Sequence, residues 1–516
     1  LSESEGDSCS HSKEEETLDI LLIDPPHIIL KGLSTDRGYN VGPASLAAYI
    51  RKEGIETALL TGDLLMDFRP VNPLVSIIRE WRTTVRELAA GQRLIEMAVK
   101  DKTHVVWKKL TDIVSQTNPR AVGISYLTPL KPIVEKVASL IKEINPDIKI
   151  IVGSFHPTFC SEEVMQNPDI DFVIRGEGET PLLHLVRELK KDSPKWETVP
   201  GIYYRDQDGQ VRSNPGVSLI SNLDELPFLA RDMVLNCDYD VYRIHTISTA
   251  RGCPYTCSFC SDRRLWGGKV RRRSVDNVIE ELKLLKDTYK VDVVDFVDGT
   301  FTFDRRYLQA FCNAMINHNL DIKWRCTARY DNLDEDLLKL MKQANCSGLF
   351  LGLESGSDRV LKAVDKKETI ENIIKVSKMI HNAGIISITS ILLGLPDEGR
   401  DDIEATLKLM KKFKTDVFDI NIYVPLPGSP LYDSLSEEDK KNIDWRKVAY
   451  KSFDSYFSKR ISQDDFRRYQ SEAYDIADSI RRKSIIRLGA KTLLHSVAKK
   501  FKKAKDTSDS SPFSYS

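Results

Sequence analysis

The chain has 516 residues, of which 41% are hydrophobic and 29% charged, enough apolar material for two or three packed cores. Its net charge of -1 excludes a surface built for non-specific nucleic-acid binding, and no run of eighteen apolar residues offers a membrane span. Residues 1–16 lack an apolar stretch and read as a disordered leader rather than a signal peptide. Outside one compact motif the cysteines (Cys9, Cys160, Cys237, Cys312, Cys326 and Cys346) are scattered without paired spacing, as expected of a reducing, cytoplasmic setting.

Residues 17–185 alternate apolar strand-like runs with amphipathic helices. Leu18 to Ile23 predicts a buried parallel strand, Pro43 to Lys52 a helix ending before Gly54, and Glu56 to Leu60 a second strand. Ala121 to Ser125, Lys149 to Val152 and Phe172 to Ile174 repeat the strand pattern, with Pro132 to Ile144 as a helix. Such a doubly wound sheet binds ligands beyond the carboxyl ends of its strands. Those ends carry Asp24-Pro25-Pro26-His27, Ser125-Tyr126-Leu127 and Gly153-Ser154-Phe155-His156-Pro157-Thr158, and Gly176-Glu177-Gly178-Glu179-Thr180 follows the last strand. The acidic pair in that turn also suits a plain helix N-terminus. Residues 63–117 form a long insertion with helical periodicity through Ile77, Trp81, Val85 and Leu88, expected to serve as a lid or a contact surface. Residues 186–244 read as a connector, with a hairpin over 201–215 and an acidic, apolar linker from Leu223 to Met233.

Residues 245–433 contain Cys253-Pro-Tyr-Thr-Cys257-Ser-Phe-Cys260. Three thiolates at this spacing can hold a 4Fe-4S cluster and leave one iron open for substrate. Structural zinc is the alternative, but it would want a fourth Cys or His at close spacing, and neither is near. Ser274 is a natural N-cap for a helix with apolar positions Val275, Val278, Ile279, Leu282 and Leu285. Strands are expected at Val291 to Val297, Ile322 to Thr327, Leu349 to Leu353, Ile385 to Leu393 and Val417 to Val424, making six with the strand that feeds Cys253. Polar groups gather at their carboxyl ends: Asp298-Gly299-Thr300, Arg325 to Arg329, Gly352 to Gly356 and Gly394 to Glu398.

The cysteine motif, with Phe259 just before its last member, resembles the radical S-adenosylmethionine (SAM) superfamily. Ser125-x-Leu127 with Gly153-Ser154, the GEGE turn, Phe296-Val297-Asp298-Gly299-Thr300-Phe301-Thr302, the Arg271-x-Arg273-Ser274 run and Pro425 to Tyr432 are similar to segments of its cobalamin-dependent members. The resemblance implies an α/β chain with an N-terminal Rossmann-like cobalamin-binding domain, a partial (β/α)6 radical SAM barrel and a helical C-terminal region. It implies a 4Fe-4S cluster on Cys253, Cys257 and Cys260, and SAM contacts from Phe259 (adenine), Asp298 (amino group) and Glu354. Cobalamin contacts are implied at Ser125, Leu127, Gly153 and His156. Ser154 stands where the family has a second glycine, and Gly299 where it has a second aspartate. The family's DxHxxG motif is replaced by Asp24-x-x-His27, so a turn or cap role suits His27 better than axial ligation of cobalt.

This pairing of cofactors implies a methyltransferase that uses a 5'-deoxyadenosyl radical and methylcobalamin to methylate an unactivated carbon of a small molecule, with an external electron donor such as flavodoxin or ferredoxin. The alternative is a radical cyclase or oxidative rearrangement enzyme of the anaerobic magnesium-protoporphyrin ester cyclase type. A methylthiotransferase would need three more clustered cysteines, and a cobalamin sensor leaves the cysteine loop unexplained. Within residues 434–516, Arg481 to Lys505 hold ten Lys or Arg and no Asp or Glu, with Ile486, Leu493, Leu494, Val497 and Phe501 at helical spacing. That pattern suits either an interfacial helix on the inner face of a membrane, favouring a lipid-like or polycyclic substrate, or a solvated helix packing one stripe on the barrel.

Overall fold

The structure, a computed structural model, describes residues 18–27, 40–65, 94–216, 219–235, 237, 246–452 and 454–508, with side chains of the last helix described to residue 487. Two sheets organise it. The first holds β1 (Ile20–Asp24), β2 (Thr57–Thr61), β3 (Ala121–Ser125), β4 (Lys149–Gly153), β5 (Phe172–Ile174), β6 (Ile202–Arg205) and β7 (Val211–Ser213) in the order β2-β1-β3-β4-β5-β6-β7. Pairing is parallel from β2 through β5, and β6 and β7 add antiparallel. Both faces of β1 are apolar because both are covered: Leu21 and Ile23 enter one core with Trp107 and Val134, while Ile20 and Leu22 enter another with Ala47 and Leu182.

Two expectations are corrected in this half. The hairpin is no mere connector, since Ile202 and Tyr204 alternate into the core beneath β5 and extend the sheet. The end of the insertion is the sheet's own crossover helix, Val105–Thr117, whose Val106, Trp107, Leu110 and Val114 are buried against Lys131–Ile144. Ile77, Trp81, Val85 and Leu88 lie outside the described residues.

The chain then enters the second sheet at β8 (Thr246–Ile247) and peels into a two-stranded ribbon of β9 (Ala250–Arg251) with β10 (Arg271–Arg272). β11 (Val293–Phe296), β12 (Lys323–Ala328), β13 (Cys346–Glu354), β14 (Ile386–Leu393) and β15 (Val417–Ile422) complete a parallel six-stranded sheet ordered β15-β14-β13-β12-β11-β8. Its alternation is one-sided. Trp324 and Cys326 of β12 pack outward against the helices, while Arg325 and Thr327 face the hollow of the half-barrel with Phe350, 42% exposed. Ser274 caps the helix Val275–Tyr289 as expected, its Oγ accepting from Asn277 N at 3.2 Å.

The C-terminal helix Gln463–Ser508 lays Phe466, Tyr469, Ala473, Tyr474 and Ala477 into the barrel core. Arg487 pairs with Asp416, while Ile486 stays exposed. The side chains of the basic stretch beyond residue 487 lie outside the described residues. Among the described residues no helix is long and apolar enough to cross a membrane.

Candidate active site

Gly252 opens the cysteine loop at φ +96°, and a Cβ there would lie 2.3 Å from the Lys269 carbonyl, so only glycine lets β9 turn into Cys253. The loop is then stitched to the barrel: Ser258 N donates to Val364 O, Leu431 N to Ser258 O, and Tyr255 OH to Asn332 Oδ1 at 2.9 Å. Cys253, Cys257 and Cys260 all line one cavity of about 650 Å³ at the carboxyl ends of the barrel strands. Among the described residues the one group of three ligand atoms within 4.8 Å of one another is His156, Cys160 and Glu163, so the three loop thiols do not converge that closely on a single-ion site. Burial pushes the Cys260 thiol up to about 12 and raises Cys257, which a bound metal would reverse.

Phe259 lines the same cavity and packs on Val360, Leu392 and Tyr423. Glu354 reaches it from the end of β13, where the register shifts and Glu354 takes φ +65°. Lys366, 5% exposed, donates to Glu354 Oε1 at 3.1 Å and lies 3.6 Å from Glu368. Burial alone would lower the Lys366 ammonium, but Glu354 and Glu368 outweigh it and keep it cationic. A Cβ on Gly352 would fall 2.1 Å from Glu354 Oε1, so the pair depends on that glycine. Arg329, stacked 3.9 Å from the Tyr255 ring centroid, brings Nη1 to 4.0 Å from Cys257 Sγ. Lys366 was not among the residues expected from sequence: it lies in a loop between left-handed Asp365 and Lys367, with no motif around it.

Asp298 lies apart from this cavity. Its carboxylate is 3% exposed and is occupied by Thr249 N at 2.7 Å, Ala250 N at 2.9 Å, Ser248 Oγ at 3.1 Å and the Thr249 hydroxyl. It tethers the chain entering the cysteine loop and is absent from the cavity wall. The next residue explains the family departure at 299. A Cβ on Gly299 would meet Asp262 Oδ2 at 2.9 Å and Cys253 Cβ at 3.2 Å, so the Asp262 carboxylate fills that space. Asp262 Oδ2 is buried without a hydrogen-bond partner, and burial raises its carboxyl.

A second cleft, of about 430 Å³, runs along the carboxyl ends of β3, β4 and β5. Ser125, Leu127 and Gly153 line it as expected, and its wall is rich in glycine, with Gly42, Gly176 and Gly178 on one side and Gly252 and Gly299 on the other. His156 does not line it. Its ring is fully buried away from the cleft, between Tyr126 and Trp445 at 5.6 Å from each, with Nδ1 3.2 Å from Thr128 Oγ1 and Nε2 3.3 Å from Glu163. His27 does not line the cleft either. The open glycine-lined wall and the orphaned Asp262 oxygen fit a flat macrocycle rimmed with amide donors.

Ser154 sits at φ +86°, ψ −158°, a region almost reserved for glycine. Relief of about 1–3 kcal/mol of strain, less about 0.4–1 kcal/mol for the looser unfolded chain, makes Ser154→Gly stabilising by on the order of 1 kcal/mol. A raised unfolding midpoint in chemical denaturation is the expected result, and a lowered one would show that the serine is not strained.

Fold and site together define a barrel enzyme built around an iron-sulfur loop and joined to a corrinoid-type Rossmann module. A profile of the Radical SAM superfamily matches residues 247–410, and one of the B12 binding domain matches residues 32–186. The uncharacterized methyltransferase PH0819 of Pyrococcus horikoshii is 32% identical over 361 residues, covering 69% of this chain and 78% of that protein. The anaerobic magnesium-protoporphyrin IX monomethyl ester cyclase of Rubrivivax gelatinosus is 30% identical over 336 residues, which cover 63% of this chain but 60% of the cyclase. The radical S-adenosylmethionine methyltransferase TsrM from Kitasatospora setae, solved with cobalamin and its 4Fe-4S cluster, superimposes with a TM-score of 0.61 at 15% identity, over 82% of this chain and 78% of that one, a likeness of fold. The chain belongs to the cobalamin-dependent radical SAM family.

Proposed function

We propose that the chain is a methyltransferase that adds a methyl group to an unactivated carbon of a small molecule. The observation that carries this reading is the meeting of two clefts: Gly299 lines both the cavity of the three cysteines and the cleft beyond β3 to β5. When bound, the cluster and SAM supply a 5'-deoxyadenosyl radical for hydrogen abstraction, and cobalamin supplies the methyl group. In this reading Cys253, Cys257 and Cys260 hold the cluster and Phe259 lies against the adenine. Glu354, oriented by Lys366, accepts from the SAM ammonium or ribose. Ser125, Leu127 and Gly153 border the cobalamin tail, and Asp262 accepts from a corrin amide. No histidine lines the cleft among the described residues. The one-electron donor is external, and the basic C-terminal helix contacts an anionic membrane surface.

The cyclase relative keeps a second reading open, in which the radical closes or oxidises a ring without methyl transfer. Anaerobic turnover of the loaded protein in a small-molecule extract, with SAM deuterated in its methyl group, separates the two. A product gaining a labelled methyl supports the methyltransferase; a product that loses hydrogen or gains oxygen without label supports the cyclase and refutes the first reading.

A further inference from the structure

The acidic turn Gly176 to Glu179 binds the other half of the molecule. Glu177 and Glu179 are 5% and 2% exposed, and they stand at the carboxyl end of β5, beside the cleft that Ser125 and Gly153 line. Arg251 Nη1 lies 2.7 Å from Glu177 Oε1, and its Nη2 pairs with Glu179. Arg271 Nη1 reaches both Glu177 oxygens, at 2.8 and 3.0 Å, and the Ile220 carbonyl at 2.5 Å. Both guanidinium groups lie over the Trp266 ring, at 5.6 and 5.8 Å. Ser45 adds a hydroxyl that donates to Glu179 at 3.1 Å. Burial would raise the Glu179 carboxyl, but the Arg251 charge outweighs it and holds the group below its ordinary range.

The placement of these pairs matters more than their number. Arg251 is two residues before Cys253, and Arg271 is its partner across the β9–β10 ribbon. One end of each pair is therefore on the loop that carries the cysteines, and the other is on the strand end that borders the second cleft. Among the described residues no hydrophobic cluster spans both sheets: two serve the barrel and two serve the first sheet. The other described contacts between the modules include Phe159 against Gly428, His156 against Trp445, Arg264 over the Phe159 ring at 5.9 Å, and Arg231 on the buried Glu281, a pair that lines neither cleft. Apolar contacts slide with little penalty, whereas a guanidinium fork on a buried carboxylate is directional, and such pairs are best attested as devices that fix register.

We propose that Glu177, Glu179, Arg251 and Arg271 form an inter-module latch that sets the separation and tilt of the two cofactors, and that they act as positioning residues. The inference rests on the two-cofactor reading above. Loss of the latch leaves each cofactor bound in its own module but misaligned with the other, and misplacements of about 1 Å are enough to matter for transfer chemistry.

The test uses full-length protein reconstituted with iron, sulfide and cobalamin, compared at equal loading of both. With cobalt in its paramagnetic Co(II) state, electron paramagnetic resonance power saturation is measured with the cluster oxidised and then reduced. In the parent protein the reduced cluster shortens cobalt relaxation through their dipolar coupling, which falls steeply with distance. The double variant Glu177→Gln/Glu179→Gln is expected to lose that enhancement. If it does not accumulate folded, Arg251→Lys, which keeps the charge and loses the grip of Nη1 on Glu177 and Nη2 on Glu179, carries the same measurement. A folded, doubly loaded variant with undiminished enhancement overturns the latch alone. Parent protein that takes up no cobalamin overturns the two-cofactor reading, and the latch's role with it.

Discussion

Replacing any one of Cys253, Cys257 or Cys260 with alanine abolishes formation of 5'-deoxyadenosine from SAM and leaves the circular dichroism of the protein unchanged. The chemical half of that expectation follows from ligand count: two thiolates cannot hold a cubane that three protein ligands leave open at one iron. The structural half follows from where the residues sit. All three line the cavity, and none belongs to the barrel core built on Trp324, Phe296 and Phe311. Iron content and anaerobic SAM cleavage are the measurements, and a single variant that still cleaves SAM reductively at the parent rate would refute the cluster assignment.

The second large effect is on stability. Glu281, fully buried in the helix Val275–Tyr289, accepts from Arg231 at 2.6 Å and from Arg273 at 2.5 Å. Arg231 comes from the linker and is itself 0% exposed. Glu281→Ala strips the carboxylate from a guanidinium that stays buried, at a loss of about 3–5 kcal/mol. Denaturant unfolding of the cofactor-free protein measures it, and a loss no larger than that of a surface substitution would show that the network is dispensable. The same group carries a pH signature. Burial opposes ionisation of Glu281, but Arg231 and Arg273 outweigh it and hold its carboxyl below the ordinary 4.5. Its contribution is thus complete above that value and disappears as pH falls through the lower, folded-state value, so Glu281→Gln flattens part of the acid limb of the stability profile.

Sequence pattern carried the sheets well because burial on both faces leaves little freedom. A run such as Ile20 to Ile23 has an apolar residue for each side and reads as a covered parallel strand wherever it occurs. The cysteine loop was legible for a different reason, since three soft ligands at fixed spacing have few competing uses. Where a side chain points was less legible. Asp298 and His156 both stand beside the expected sites in sequence, yet backbone amides from Thr249 and Ala250 claim the first, and Thr128 and Glu163 the second. Lys366 and Asp262 illustrate the converse. Neither belongs to a recognised segment, and each reaches its cavity through tertiary folding that no local pattern encodes. The hairpin at β6 was recognised but misplaced, because pairing partners across a sheet edge are set by the tertiary core and not by the turn.

Gly299 has a consequence for how such a protein can change. Its bare backbone borders both cavities, and the space beyond it is already filled by Asp262 and Cys253. Of the described residues that line either cavity, Gly299 is the one that lines both, so the wall they share is set by a residue without a side chain. A single added methyl at position 299 presses on Cys253 of one cavity and Asp262 of the other at once. Either cavity can be reshaped elsewhere without touching the other, whereas a change at this one position is felt by both.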